Sequence, residues 1–127
     1  MSTLNIGKDF SVDPAGRYYT DGDSSGEEFR EKHLLNALNK LSAHEKLEII
    51  LDDGVEGYGS SFLVEGFAGI VKHGYMDADS LLEKISFHFT DPDFNFYKEK
   101  IVQYIKEATF NSKKYVPTKD QNASLPN

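Results

Sequence analysis

Cysteine and tryptophan are both missing from these 127 residues. Without thiols there can be no disulfides and no thiolate metal site; the absence does not place the protein, since a cytosolic chain can simply lack cysteine. A basic excess is missing too. The 21 acidic side chains outnumber 14 basic ones, for a formal charge of −7, which argues against direct tracking of nucleic-acid phosphates. No stretch approaches the roughly 18 apolar residues of a membrane span. Residues Met1 to Gly7 lack the charged-then-apolar layout of a signal peptide. What is present is a core: 39% hydrophobic and 13% aromatic residues exclude wholesale disorder and suffice for one domain at this length. The expectation is an acidic, cytoplasmic domain with no membrane partner.

Leu4 and Ile6 alternate at period two, and Phe10 and Val12 resume the pattern after Gly7-Lys8-Asp9. Asp13-Pro14-Ala15-Gly16 is a turn signal, and Arg17-Tyr18-Tyr19-Thr20 suits a short strand. This region reads as an antiparallel strand pair. Ser25-Gly26-Glu27-Glu28 matches a capping box ahead of a helix striped by Phe29, Leu34, Leu35, Leu38 and Leu41. The run Leu47 to Leu51 predicts a strand buried on both faces. After a glycine-rich loop, a helix over about 61–72 is apolar almost all round and stops at Gly74. Gly66 and Gly69 within it predict close packing of its backbone on the sheet. A polar link around Asp77-Ala78-Asp79 leads to an alternating strand, Ile85 to Phe89, and Asp91-Pro92-Asp93 ends it. Tyr97, Ile101, Tyr104, Ile105 and Ala108 stripe a last helix. The order β-β-α-β-α-β-α predicts an α/β domain over 1–112, a mixed sheet with helices packed on it. Residues 113–127 read as a polar, flexible tail with few apolar anchors.

Three segments together resemble a known family. They are Gly16-Arg17-Tyr18-Tyr19-Thr20-Asp21-Gly22, Ser25-Gly26-Glu27-Glu28-Phe29-Arg30, and Tyr58-Gly59-Ser60-Ser61-Phe62-Leu63-Val64-Glu65-Gly66-Phe67. Over roughly residues 8–110 the chain is similar to the bacterial and phage STAS-like domains, of unknown function and related to anti-anti-sigma factors. The resemblance implies a STAS-like α/β fold. In anti-anti-sigma factors an Asp-Ser-Ser-Gly signature at a helix start carries a serine phosphorylated by a kinase of the histidine-kinase-like ATPase class. Laid on this chain, it falls on Gly59-Ser60-Ser61-Phe62. The resemblance therefore makes Ser60 the phosphoacceptor and Ser61 its neighbour, with Gly59 in place of the aspartate and Phe62 in place of the glycine.

Other chemistries find weaker footing. Ser60 and Ser61 most simply cap the helix that follows them, and the same amides would stabilise an added phosphate. Asp52 and Asp53 follow the central strand, at the edge where α/β sheets place ligand sites. Adjacent strand residues point to opposite faces, so a solvated turn is the simpler reading. Asp21-Gly22-Asp23-Ser24-Ser25-Gly26 mimics the start of a calcium loop, but Lys32 stands where a bidentate Glu is needed. Glycines 54, 57 and 59 form no P-loop, since no Gly-Lys-Ser/Thr follows. His33, His44, His73 and His88 lie on different elements, without metal-ligand spacing. Glu65 is the odd residue on an apolar helix; if buried it needs a base such as Arg17 or Arg30.

The resulting expectation is a non-enzymatic STAS-like domain that binds another protein, with no cofactor and no metal. Gly57, Tyr58, Gly59, Phe62 and Glu65 would form the partner surface, with Tyr58 and Phe62 as apolar anchors and Ser60 or Ser61 as phosphoacceptor. The partner implied by the resemblance is a histidine-kinase-like ATPase acting as a serine kinase. Two alternatives stay open: a small enzyme or ligand- or metal-binding protein using Asp52, Asp53 and Ser60, and a homodimerising structural module.

Overall fold

A computed structural model describes residues 2–119. Strand β1 (Ser2–Asn5) runs into a single wide turn, Ile6–Phe10, and a 3₁₀ turn follows at Tyr19–Asp21. Helix α1 covers 26–39, β2 is Leu47–Ile50, and helix α2 covers 60–72. Helix α3 (Ala78–Lys84) leads directly into β3 (Ile85–His88), and a 3₁₀ turn precedes helix α4 (Asn95–Glu107). The order is β-α-β-α-α-β-α. The three strands form a parallel sheet in the order β1-β2-β3, with Leu4 facing Ile49 and Ile49 facing Phe87.

The α/β class agrees with expectation; the strand order does not. The antiparallel pair is absent among the described residues. Ile6 to Phe10 winds helically because Asn5 caps the turn, its side-chain oxygen accepting from the Lys8 amide at 3.0 Å. Arg17 to Thr20 bends around Asp21, whose carboxylate accepts from the Arg17 and Tyr18 amides at 3.0 and 2.9 Å. Local side-chain hydrogen bonds of this kind compete with a ladder for the same backbone donors. Nor is β2 buried on both faces. Leu47 and Ile49 are buried while Glu48 and Ile50 are partly exposed. The link expected at Asp77-Ala78-Asp79 is the start of α3, with the Asp77 carboxylate capping the Ser80 amide at 2.8 Å.

Helix α2 lies at the centre of the packing. Phe67 sits edge-on to Phe87 of β3, with ring centroids 6.1 Å apart, and touches Phe29 of α1 at 5.4 Å. Its glycines do not face the sheet as expected; they face α1. A Cβ on Gly66 would stand 3.2 Å from the Phe29 ring, and one on Gly26 would stand 2.7 Å from the Phe62 carbonyl. The glycines thus let the two helices approach backbone to backbone. Gly74, at φ +80°, ends α2 as the left-handed residue that the sequence indicates. Ser25 caps α1, its hydroxyl accepting from the Glu28 amide at 3.1 Å, again as expected.

Candidate functional site

The C-terminal edge of the sheet holds the residues that the sequence singles out. Asp52 spends its carboxylate on structure: one oxygen accepts from the Thr90 amide at 2.8 Å, the Thr90 hydroxyl at 3.0 Å and the Asp91 amide at 2.8 Å. Partial burial alone would raise its pKa, but these donors outweigh burial and lower it. A depressed folded-state value means stability present above the ordinary aspartate range and lost as pH falls through and below it. Asp52→Asn should therefore destabilise the domain at neutral pH, with the difference from the parent shrinking on acidification. Urea titrations at a series of pH values check this; a pH-independent difference would contradict it. Asp53 accepts from the Asn5 side-chain amide at 2.8 Å and lies 3.7 Å from the Lys8 ammonium. The two carboxylates tie separate loops to the sheet.

The loop that follows is anchored inward. Tyr58 donates its hydroxyl to the Leu51 carbonyl at 2.6 Å and stacks on Phe62 at 5.7 Å. Phe62 is fully buried against Phe10 and Phe29. Both were expected as apolar anchors of a partner surface, and neither is available for that: they belong to the core. Gly57 lies beneath the Tyr97 hydroxyl, which a Cβ there would meet at 2.6 Å. Gly59 occupies the N-cap of α2, so no side chain caps the helix, and the expected serine cap does not form. Ser60 is exposed, and Ser61 is partly buried with its oxygen 3.5 Å from the Arg17 guanidinium.

A second cluster lies between α1 and α2. Arg30 is completely buried. Its Nη1 donates to both the carbonyl and the carboxylate of Glu65 at 2.7 Å, and its Nε donates to Glu31 at 2.7 Å. Burial works against the charge, but the two glutamates outweigh it and raise the Arg30 pKa. Gly69 leaves the space that the guanidinium fills. His73 completes the cluster: Nδ1 is 2.8 Å from the Lys113 carbonyl and Nε2 is 3.4 Å from Glu65. Both ring nitrogens thus face oxygens of the cluster. Tyr75 donates to Glu31 at 3.1 Å, and burial together with that carboxylate pushes its pKa up to about 12.

Residues 113–118 cross this cluster as a strap. The Lys113 amide donates to the Lys72 carbonyl at 3.1 Å, and the Tyr115 ring lies over the Arg30 guanidinium at 4.9 Å. The buried Glu27 carboxylate accepts from the Tyr115 hydroxyl at 2.8 Å, the Thr118 hydroxyl at 2.6 Å and the Thr118 amide at 3.0 Å. The Tyr19 amide adds a fourth donor at 2.9 Å. Burial would raise the Glu27 pKa, yet the donors prevail and lower it, while burial beside that carboxylate raises the pKa of Tyr115. The first part of the expected tail is thus bonded to the body of the chain; residues 120–127 lie outside the described residues. A cleft of about 270 Å³ stays open beside the strap, bordered by Glu27, Glu65, Lys72, His73 and Tyr115.

Sequence reasoning found the Arg30–Glu65 pair as one of two options and missed Glu27, His73 and Tyr115. Glu27 lies within the capping-box segment, but nothing in that local pattern points to Tyr115 or Thr118. Among the described residues no three of His, Asp and Glu gather as metal ligands, and no helix is long and apolar enough to cross a membrane.

Comparison with curated proteins and with solved structures returns no match. A family model does match, over residues 25–93, and its description is a STAS-like domain of unknown function (DUF4325). That span runs from the Ser25 cap through α1, β2, α2 and β3 to the turn before α4. It takes in Asp52, Asp53, Tyr58, Ser60 and Phe62 of the first cluster and Glu27, Arg30, Glu65 and His73 of the second, while the strap, Asn5, Lys8, Arg17, Tyr19 and Tyr97 lie outside it. With more than half of its length matched, this chain belongs to the STAS-like DUF4325 family.

Proposed function

We propose that the protein is a non-enzymatic STAS-like binding module whose contact with another protein is controlled by phosphorylation of Ser60. The observation that carries this reading is the exposed Ser60 at the first position of α2, behind an N-cap glycine that supplies no side-chain acceptor. First-turn amides without a cap favour an anion, and a phosphate adds about −1.5 to −2 charges there. Arg17, whose guanidinium already reaches Ser61, stands ready as a cationic neighbour. Buried Phe62 and Tyr58 fix the turn, so the hydroxyl is held on a rigid platform. A serine kinase of the histidine-kinase-like ATPase class is the partner this reading calls for.

The same geometry sets a stability expectation. Ser60→Asp should stabilise the domain by about 0.3–1 kcal/mol at low salt, through the helix dipole alone, and thermal melts of Ser60→Asp and Ser60→Asn would show the difference. The functional test is peptide mapping of the chain purified from its own cells, with partner retention measured for Ser60→Ala and Ser60→Asp. A phosphoryl group on Ser60 and unequal retention support the reading. An unmodified Ser60, with equal retention by both variants, overturns it.

A further inference from the structure

The strap makes contacts of the kind a bound peptide makes with its receptor. It is tied by main chain, through the Lys113 amide to Lys72 and the Lys113 carbonyl to His73, and by side chains set into prepared places. Main-chain bonds give such a segment affinity, and its side-chain places give selectivity. Two places stand out. The Tyr115 ring covers the Arg30 guanidinium, and its hydroxyl reaches Glu27; three residues on, Thr118 reaches the same carboxylate by both amide and hydroxyl. Three of the four donors that hold the buried Glu27 charge come from the strap. A buried carboxylate without donors is costly. The strap thus both covers this charge and supplies most of the donors that compensate it.

The strap is an imperfect occupant. Arg30 Nη2 is buried with no hydrogen-bond partner among the described residues. A segment that made the same contacts and also placed an acceptor at Nη2 would bind better than the strap. We propose that residues 113–118 are a displaceable intramolecular occupant of a peptide groove between α1 and α2. In trans, the groove takes an extended segment of another protein carrying a tyrosine and, three residues later, a threonine. Tethering gives the strap an effective concentration on the order of millimolar, so it blocks weak competitors and yields to strong ones. This groove does not depend on Ser60 or its modification.

The probe is a fluorescent peptide with the sequence of residues 112–119, titrated by anisotropy against the full chain and against the full chain carrying Tyr115→Phe and Thr118→Val. The doubly altered chain should bind it at least tenfold more tightly than the unaltered chain, whose own strap competes. Peptides bearing Tyr115→Phe or Thr118→Val should each bind about tenfold more weakly, the scale of one hydrogen bond to a charged group. Equal affinity for the two chains, or for unaltered and altered peptides, would overturn the proposal. Amide exchange at Leu47–Ile50 verifies that the altered chain is folded. Should it not fold, the same peptide series against the unaltered chain at millimolar concentration decides: discrimination supports the groove, and its lack refutes it.

Discussion

Arg30→Ala should remove about 3–5 kcal/mol of folding stability, the usual consequence of deleting one member of a buried ion pair. That is a large part of the roughly 5–15 kcal/mol available to a domain of this size, so at 37 °C the variant should be substantially unfolded. The physical reason is the Glu65 carboxylate. It is 3% exposed, and with Arg30 gone only His73 at 3.4 Å still faces it among the described residues. The Glu65 carbonyl loses its side-chain donor at the same time, and Tyr115 loses the cation beneath its ring. Two comparisons locate the cause. Glu65→Gln keeps an acceptor for Nη1 and should cost less than Arg30→Ala. The double replacement Arg30→Met with Glu65→Leu removes both charges together and should recover much of the loss, because an apolar pair of similar volume avoids desolvating two ions. Urea unfolding of the four chains measures this. Equal losses for Arg30→Ala and the double variant would show that shape, not uncompensated charge, dominates.

Phe62→Ala should cost about 3–5 kcal/mol, as truncating a fully buried phenylalanine generally does. The ring contacts Phe10, Phe29 and Tyr58, and its loss opens a cavity where α1, α2 and the loop before α2 meet. Two residues away, Ser60→Ala should change stability by less than about 0.5 kcal/mol, as exposed substitutions do. The contrast is decisive. An anchor waiting on the surface for a partner would leave the isolated domain's stability nearly unchanged when truncated; a core residue cannot. Chemical denaturation of both variants, with unchanged slopes, is the measurement. A small effect at Phe62 would return it to the surface role that the glycine-rich loop suggests.

That loop shows where a sequence can be read and where it cannot. Periodicity located α1, α2 and α4 and the strands β2 and β3 within about three residues, because each buries a stripe that leaves its mark in the order of side chains. The region 6–21 was misread because its conformation is set by the short side chains of Asn5 and Asp21 bonding nearby amides, which override the alternation of Ile6, Phe10 and the tyrosines. Gly66 and Gly69 announced a close approach but not the partner; that it is α1 depends on Gly26 and Arg30, more than thirty residues earlier. The cluster itself was half legible. A glutamate on an apolar helix demands a base, and Arg30 was one of two available. The contributions of Glu27, Tyr115 and Thr118 span about ninety positions and carry no local pattern.

The sheet order has a consequence for how the chain reaches this state. All three strands are parallel, and neighbours in space are far apart in sequence: Leu4 pairs with Ile49, and Ile49 with Phe87. Among the described residues no hairpin joins two strands of the sheet, so each ladder forms only after a crossover of roughly forty residues has closed, and long-range closure of this kind slows folding. Strand β2 serves both ladders and is the element on which both closures converge. The strap joins last, since α1 and α2 must already lie side by side before Tyr115 and Thr118 find Glu27. The early kinetics of this chain therefore belong to its middle, and its final step to its C-terminal end.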